Sequence, residues 1–278
     1  MNNSTVAKST TITTLGNGGP IDIGLNNAIL NGTINDAGSG INFYVGAGTK
    51  NVNHGTIHAS ATDYRTKVAF IGTAGNFTNA GHIIAGSGSD VTAAVGDAAT
   101  NTQQTFDNSG LIRAESGGSV TLQADHLFTQ SAGTVGNSGR LDADGGTMTI
   151  NATLAQSAKG RVTAENGGTI NLGGVATGGS IALSDSTLVF GLPVTRFGNF
   201  PAAAASTSKL ALLGVSDRLT FSSLAAVTEV FKPGNELVVS AMRNGMSYQI
   251  ADLHLSGHYS ADEFSVHGGS VDYLAHSS

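Results

Sequence analysis

The sequence predicts an all-β fold: a right-handed parallel β-helix (β-solenoid) with a C-terminal β-rich continuation or cap. Three observations support this fold class. A short phrase recurs along the chain, apolar residues alternate with polar ones, and glycine accounts for 39 of 278 residues, about twice its ordinary share. The alternation has the period of a β-strand, and repeats of this kind are typical of stacked architectures.

The repeated phrase has the form Asn-x-Gly-x-Ile-x-Ala, and its clearest copies begin at four asparagines. Successive aligned glycines lie 19 to 29 residues apart. The asparagines are Asn53, Asn79, Asn108 and Asn137, and the glycines are Gly32, Gly55, Gly81, Gly110, Gly139, Gly160 and Gly179. We interpret these glycines as turn residues that allow a positive φ where the chain bends.

A second phrase, Gly-Gly followed by an alternating segment, comes six or seven residues after an aligned glycine in three of the repeats. Its copies are 117–122, 145–150 and 167–172. A third, looser apolar segment closes some of the units. Each segment predicts a short strand with one inward face, so each repeat predicts a three-strand coil. Stacked coils form parallel ladders about 4.8 Å apart, and the strong preference for right-handed crossovers predicts the hand.

Equivalent residues of stacked coils form columns. The four asparagines predict an internal column in which each amide donates to one neighbouring coil and accepts from the other. The apolar residues that follow them predict a matching core column. Its members are Ile57, Ile83, Ile112, Leu141 and Val162.

The repeat divides the chain into three predicted parts. Residues 1–24 form an N-terminal arm or cap, residues 25–185 form the parallel solenoid, and residues 186–278 form a C-terminal β-rich domain or cap. The last part has longer and more apolar segments. A cap is expected because the last coil otherwise exposes its cross-section and unpaired strand edges.

Composition argues against several partners. The net charge is −6 and the 13 Lys and Arg residues are not clustered, so we expect no nucleic-acid binding, which requires grouped cations. No apolar run is long enough to span a bilayer, so we expect no membrane insertion. Cysteine is absent, which excludes disulfides and thiolate metal sites.

Three acidic residues, Glu115, Asp144 and Glu165, each come five residues after an aligned glycine. They are therefore predicted to stack at one turn, as a solvated polar corner or as a cation or acid–base site. By the same alignment, Arg113 and Asp142 are predicted to form an exposed ion pair between coils, which contributes less than about 1 kcal/mol.

No other pattern indicates a metal, a cofactor or a catalytic residue. The segment 86–90 matches a calcium-binding β-roll only partly, and a single copy lacks ligands from a second turn. His254 and His258 are about 13 Å apart on a continuous strand, too far to share one metal ion. Nucleophile-elbow and phosphate-loop motifs are absent. We therefore expect no cofactor, no metal and no enzymatic activity.

The two glycine phrases resemble the repeat regions of large secreted bacterial adhesins and autotransporter-type β-helical exoproteins. The segments 231–237 and 251–264 look similar to C-terminal parts of such proteins. The tail has Gly268-Gly269-Ser270 where an Asp-Gly-x-Gly-Gly-Thr ending is expected. The resemblance implies export to the bacterial cell surface or the extracellular space, and it implies no catalytic residues.

These observations lead to one main hypothesis and two alternatives. The main one is a non-catalytic structural or adhesive module of a secreted cell-surface or extracellular-matrix protein, with surface glycans or other matrix components as partners. The first alternative is a self-assembling filament subunit, whose partner is a second copy joined end to end or by strand addition. Its self-association strand would be Thr10, Thr11, Ile12, Thr13 and Thr14, although this segment could instead form the first coil. The second alternative is a polysaccharide-binding or polysaccharide-cleaving β-helix protein.

Overall fold

The computed structural model describes most of the chain. The described residues are 5–15, 19–46, 50–60, 67–72, 76–95, 105–124, 134–174, 176–191, 204–214, 216–221, 224, 226–243 and 246–274. Within them the protein is all β apart from one short 3-10 turn, Ala261–Glu263.

The chain winds through repeated coils, each with three short strands. The first four coils contain β1 (Thr5–Val6), β2 (Thr11–Thr14), β3 (Ile21–Leu25); β4 (Ile29–Leu30), β5 (Thr33–Asp36), β6 (Ile41–Val45); β7 (Lys50–Asn53), β8 (Thr56–Ala59), β9 (Lys67–Gly72); and β10 (Asn76–Asn79), β11 (His82–Ala85), β12 (Asp90–Val95). The next four contain β13 (Thr105–Asn108), β14 (Leu111–Glu115), β15 (Ser119–Ala124); β16 (Thr134–Asn137), β17 (Arg140–Asp144), β18 (Thr147–Asn151); β19 (Thr153–Gln156), β20 (Arg161–Glu165), β21 (Thr169–Leu172); and β22 (Ala176–Thr177), β23 (Ser180–Leu183), β24 (Thr187–Phe190).

Equivalent strands stack into three parallel sheets. The first strands of the coils form sheet A, the second strands form sheet B and the third strands form sheet C. Each strand pairs in parallel with its equivalents in the coils before and after it. The predicted all-β parallel solenoid is thus confirmed, and the right hand of its coils stays a prediction.

The stacking extends beyond both predicted boundaries at residues 25 and 185. At the start, β1, β2 and β3 pair in parallel with β4, β5 and β6. The predicted N-terminal arm therefore forms a coil of the column. At the other end, β25 (Ala204–Leu212) and β26 (Arg218–Phe221) add to sheets B and C in the same parallel register.

An antiparallel cap follows this last partial coil. In sheet B, β29 (Met246–Leu255) pairs with β25, and β28 (Glu236–Arg243) and β27 (Val227–Lys232) continue the sheet in antiparallel order. In sheet C, β31 (Ser270–Tyr273) pairs antiparallel with β26 and with β30 (Phe264–His267). The C-terminal third therefore contains both arrangements that the sequence left open, a continuation and then a cap.

The core is a continuous stack along the column axis, because the strands alternate buried and outward-facing residues. Aromatic rings stack at several levels, among them Phe43 on Phe70 with ring centroids 5.0 Å apart, and Phe190 on Phe221 at 5.1 Å. The predicted apolar column is buried and in register, with Ile83 between Ile57 and Ile112.

Within the described part of the chain, no helix has the length and hydropathy that crossing a membrane requires.

Candidate functional site

The four asparagines of the repeat form a hydrogen-bonded ladder inside the column. The Nδ2 atom of each donates to the Oδ1 atom of the next coil's asparagine, at 2.8 Å for Asn53 to Asn79, 2.8 Å for Asn79 to Asn108 and 2.9 Å for Asn108 to Asn137. All four side chains are buried. The second amide hydrogen reaches backbone carbonyls at the corner between sheets A and B.

The ladder has defined ends. At its start, the Oδ1 atom of Asn53 accepts the backbone N–H of Gly55 at 3.1 Å. At its end, Asn137 donates to the Oε1 atom of Gln156 at 3.1 Å, and Gln156 donates to the Gly178 carbonyl. Sequence reasoning missed Gln156, because it lies four residues before Gly160 whereas each asparagine lies two residues before its glycine.

Most of the aligned glycines have a different role from the predicted one, and only Gly179 among the seven has a positive φ, of 55°. The five site glycines Gly55, Gly81, Gly110, Gly139 and Gly160 all lack a positive φ. A Cβ atom on them would instead lie 2.0 to 2.3 Å from a backbone oxygen of the preceding coil. Close approach of neighbouring coils therefore requires glycine at this corner. Positive φ occurs at the next corner, between sheets B and C, at Gly117, Gly145 and Gly167.

A charged network crosses the outer face of sheet B. Arg113 pairs with Asp142 at 2.8 Å, as the alignment predicted. The predicted exposure was wrong: the Asp142 side chain is 0% exposed. Arg140 donates to it at 3.0 Å and Thr163 at 2.6 Å, so these side chains cover the carboxylate and saturate it with hydrogen bonds.

The three acidic residues also stack as predicted, with Glu115 beside Asp144 and Asp144 beside Glu165. Arg140 pairs with Glu165 at 2.8 Å, and Arg113 lies 3.8 Å from Asp144. Arg113 and Arg140 come from separate repeats, and together they offset the negative charge of the acidic column. Among the described residues, no group of three or more His, Asp or Glu side chains is arranged to hold a metal ion.

The predicted self-association strand lies at one end of sheet B. Thr11–Thr14 is β2, in register with β5, and the Thr10 carbonyl accepts the backbone N–H of Thr33 at 2.9 Å. Thr14 donates to the buried carboxylate of Asp36 at 2.7 Å. The segment is therefore the second strand of the first coil, and within the described residues β5 is its one strand partner.

Two cavities lie along the corner between sheets A and B. One, of about 410 Å³, is bordered by Lys8, His54 and His82 around the backbone of Gly55. The other, of about 240 Å³, lies further along the column beside Asp107. These cavities could not be predicted from the sequence, because their side chains come from separate coils.

No family model, curated protein or solved structure matches the chain.

Proposed function

We propose that the chain is a non-catalytic structural and adhesive module of a secreted bacterial cell-surface or extracellular-matrix protein. The observation that carries the proposal is the combination of a continuous internal stack with polar outer faces. The buried asparagine ladder and the apolar columns use the inward residues, which leaves the outward residues of each strand free to form a long and repetitive surface.

The character of the charged groups supports a structural role. A catalytic acid or base is expected in a cleft, with an environment that leaves it accessible to substrate. Here Asp142 is buried under two arginines and a threonine, and Glu165 is paired with Arg140. These acids tie neighbouring coils of sheet B together.

Surface display tests the adhesive role. The chain is displayed on a non-adherent bacterium, and the cells retained on epithelial monolayers and on glass are counted after washing. The matched control carries Gly110→Ala and Gly139→Ala, which disrupt the stacking without altering surface charge. Retention of the wild type several-fold above the control supports the proposal. Retention equal to the control contradicts it, and release of reducing ends from polysaccharides by the purified chain contradicts the non-catalytic part.

A second candidate, self-assembly into a filament, is favoured by the distribution of exposed apolar residues. In the described residues between 45 and 212, no large apolar side chain is exposed. The exposed ones lie in the first two coils or near the C-terminal end: Leu15, Ile21, Ile29, Tyr44, Leu213, Val230, Met242, Met246 and Leu274. Contacts between unlike ends do not close on themselves and so produce filaments.

Lysine substitutions separate an edge effect from a general charge effect. Thr11→Lys with Thr13→Lys places two charges on β2 at the sheet edge, where lysine opposes strand addition. Thr33→Lys with Asn35→Lys places the same charges on β5, the next strand inward. Electron microscopy at increasing protein concentration is expected to show filaments for the wild type and the β5 variant, and isolated particles for the β2 variant. Wild-type protein that stays monomeric contradicts this candidate.

A further inference from the structure

The larger corner cavity is assembled from four successive coils, and its three basic residues come from three of them. Lys8 comes from the first coil, His54 follows β7 of the third coil and His82 begins β11 of the fourth coil. All three side chains are exposed. With a volume of about 410 Å³, the cavity is in the size range of small-molecule ligand sites.

The glycines explain why there is a depression at this corner. Close stacking excludes side chains here, since a Cβ on Gly55 would lie 2.0 Å from the Gly32 carbonyl oxygen and a Cβ on Gly81 would lie 2.1 Å from the Gly55 carbonyl oxygen. Backbone therefore forms the floor, and the longer side chains of neighbouring positions form the walls.

The ionisable groups among the described residues of this cavity are all basic, although the whole chain has a net charge of −6. None of these described lining residues is a carboxylate. Among the described residues, Lys8, His54 and His82 form no ion pair. Their donors are therefore open to a ligand.

The second cavity provides an internal comparison. It lies at the same corner, and its described lining residues include Asp107 and no basic residue. The corner geometry alone therefore does not require basic residues. Lys8, His54 and His82 are therefore a feature of the amino-acid sequence near the N-terminal end and not a consequence of the corner geometry.

We propose that the Lys8–His54–His82 cavity binds an acidic group, a sulfate or a carboxylate, carried by an anionic polysaccharide. This inference rests on the proposed adhesive function and names the class of glycan. The ammonium group and the imidazole N–H groups supply charge-assisted donors to the acidic group. Asn31, Thr33 and Thr56 in the same lining supply amide and hydroxyl groups for sugar hydroxyls.

Glycan-binding measurements on the full chain test the site. The probes are heparin as a sulfated glycan, alginate as a uronate glycan, dextran as a neutral glycan and polyglutamate as an anionic polymer without sugar. Binding is measured by biolayer interferometry at low and at physiological ionic strength. The site variant is Lys8→Gln, His54→Gln and His82→Gln. The control variant, Lys159→Gln, His254→Gln and His258→Gln, removes the same residue types from exposed positions elsewhere.

We expect heparin or alginate to bind the wild type and the control variant, with affinity about tenfold lower for the site variant and lower for all three proteins at higher salt. Alginate carries only carboxylates whereas heparin carries both groups, so alginate binding as tight as heparin binding shows that a carboxylate suffices, and binding of heparin alone shows that sulfate is required. Equal loss in both variants, equal binding of polyglutamate, or no binding of either acidic glycan overturns the inference. Adhesion in the display assay without glycan binding would overturn this site and leave the proposed function standing.

Discussion

Asn108 stands in the middle of the buried amide ladder, with Asn79 donating to it and Asn137 accepting from it. Each neutral hydrogen bond contributes only about 1 kcal/mol net, but a buried amide left without its partner costs about 1 to 3 kcal/mol. The ladder therefore mainly fixes the register between coils, because a shift of one coil by a single residue would leave several amides unsatisfied at once.

Asn108→Ala is expected to lower the free energy of unfolding by about 2 to 3 kcal/mol, since it orphans a donor on one side and an acceptor on the other. The matched control is Asn42→Ala, which removes an exposed amide that donates to Asp22 at 2.9 Å. Urea denaturation followed by circular dichroism measures both. Equal small changes in the two variants would contradict the structural role of the ladder.

Asp142 is a buried charged residue that, like the asparagines, has its partners in neighbouring coils. Asp142→Asn is expected to destabilise the protein by about 2 kcal/mol or more, because it removes the charge that the two arginines share in a buried position. Asp272→Asn, at the more exposed pair with Arg218, is expected to cost less than about 1 kcal/mol. Thermal unfolding of the two variants gives the comparison, and a cost at position 142 no larger than at 272 would refute the assignment.

At the scale of the elements, stacking distance rather than turn conformation selects glycine at the corner between sheets A and B. Gly110→Ala is expected to destabilise the column by more than about 3 kcal/mol, because the new Cβ would lie 2.1 Å from the Gly81 carbonyl oxygen.

Gly24→Ala is the control, since a Cβ at that position in β3 meets nothing within 4 Å and φ there is not positive. Alanine is there expected to be neutral or to stabilise slightly. Chemical denaturation measures both substitutions. Full tolerance of alanine at position 110 would show that the coils are further apart than the structure has them.

The cap is attached to the last coil by an aromatic cluster. The Tyr259 hydroxyl accepts the Leu212 backbone N–H at 2.9 Å, and the ring contacts Phe264 and Tyr273.

Burial raises the pKa of the Tyr259 hydroxyl, and it raises that of Tyr273 as well. In an acid whose folded-state pKa is raised, the neutral form stabilises the fold. That contribution is complete below the unfolded pKa, about 10 for tyrosine, and is lost as pH rises through the folded value.

The stability of the protein is therefore expected to fall above about pH 10. Tyr259→Phe is expected to be less stable than the wild type at pH 8, because the hydrogen bonds are lost, and to lose less stability between pH 8 and pH 11. Unfolding midpoints at these two pH values measure the difference. An alkaline loss equal to that of the wild type would contradict the role of this hydroxyl.

At the scale of the whole molecule, the regular repeats account for most of the features that could be predicted from the sequence. The Asn-x-Gly-x-Ile phrase predicted the ladder, the apolar column and the pairing of Arg113 with Asp142. The sequence left the first coil as one of the alternatives for residues 10–14, because Thr10, not glycine, precedes its second strand. The burial of Asp142 was missed because strand alternation places it outward, and only side chains from other coils cover it. The antiparallel cap has the same two-residue period as the coils, so periodicity could not distinguish them.

The central claim is that consecutive coils stack in the register given by the repeat. Engineered cysteine pairs test it directly, because the chain has no native cysteine. Thr92, Thr121 and Thr149 are equivalent residues of three successive strands in sheet C. Neighbouring strands are about 4.8 Å apart, within the Cα separation that a disulfide spans, and strands two coils apart are beyond it. Mild oxidation and mass spectrometry should show an intramolecular disulfide in Thr92→Cys/Thr121→Cys and in Thr121→Cys/Thr149→Cys, and none in Thr92→Cys/Thr149→Cys. A disulfide in the last pair without one in the first two would contradict the stacking register.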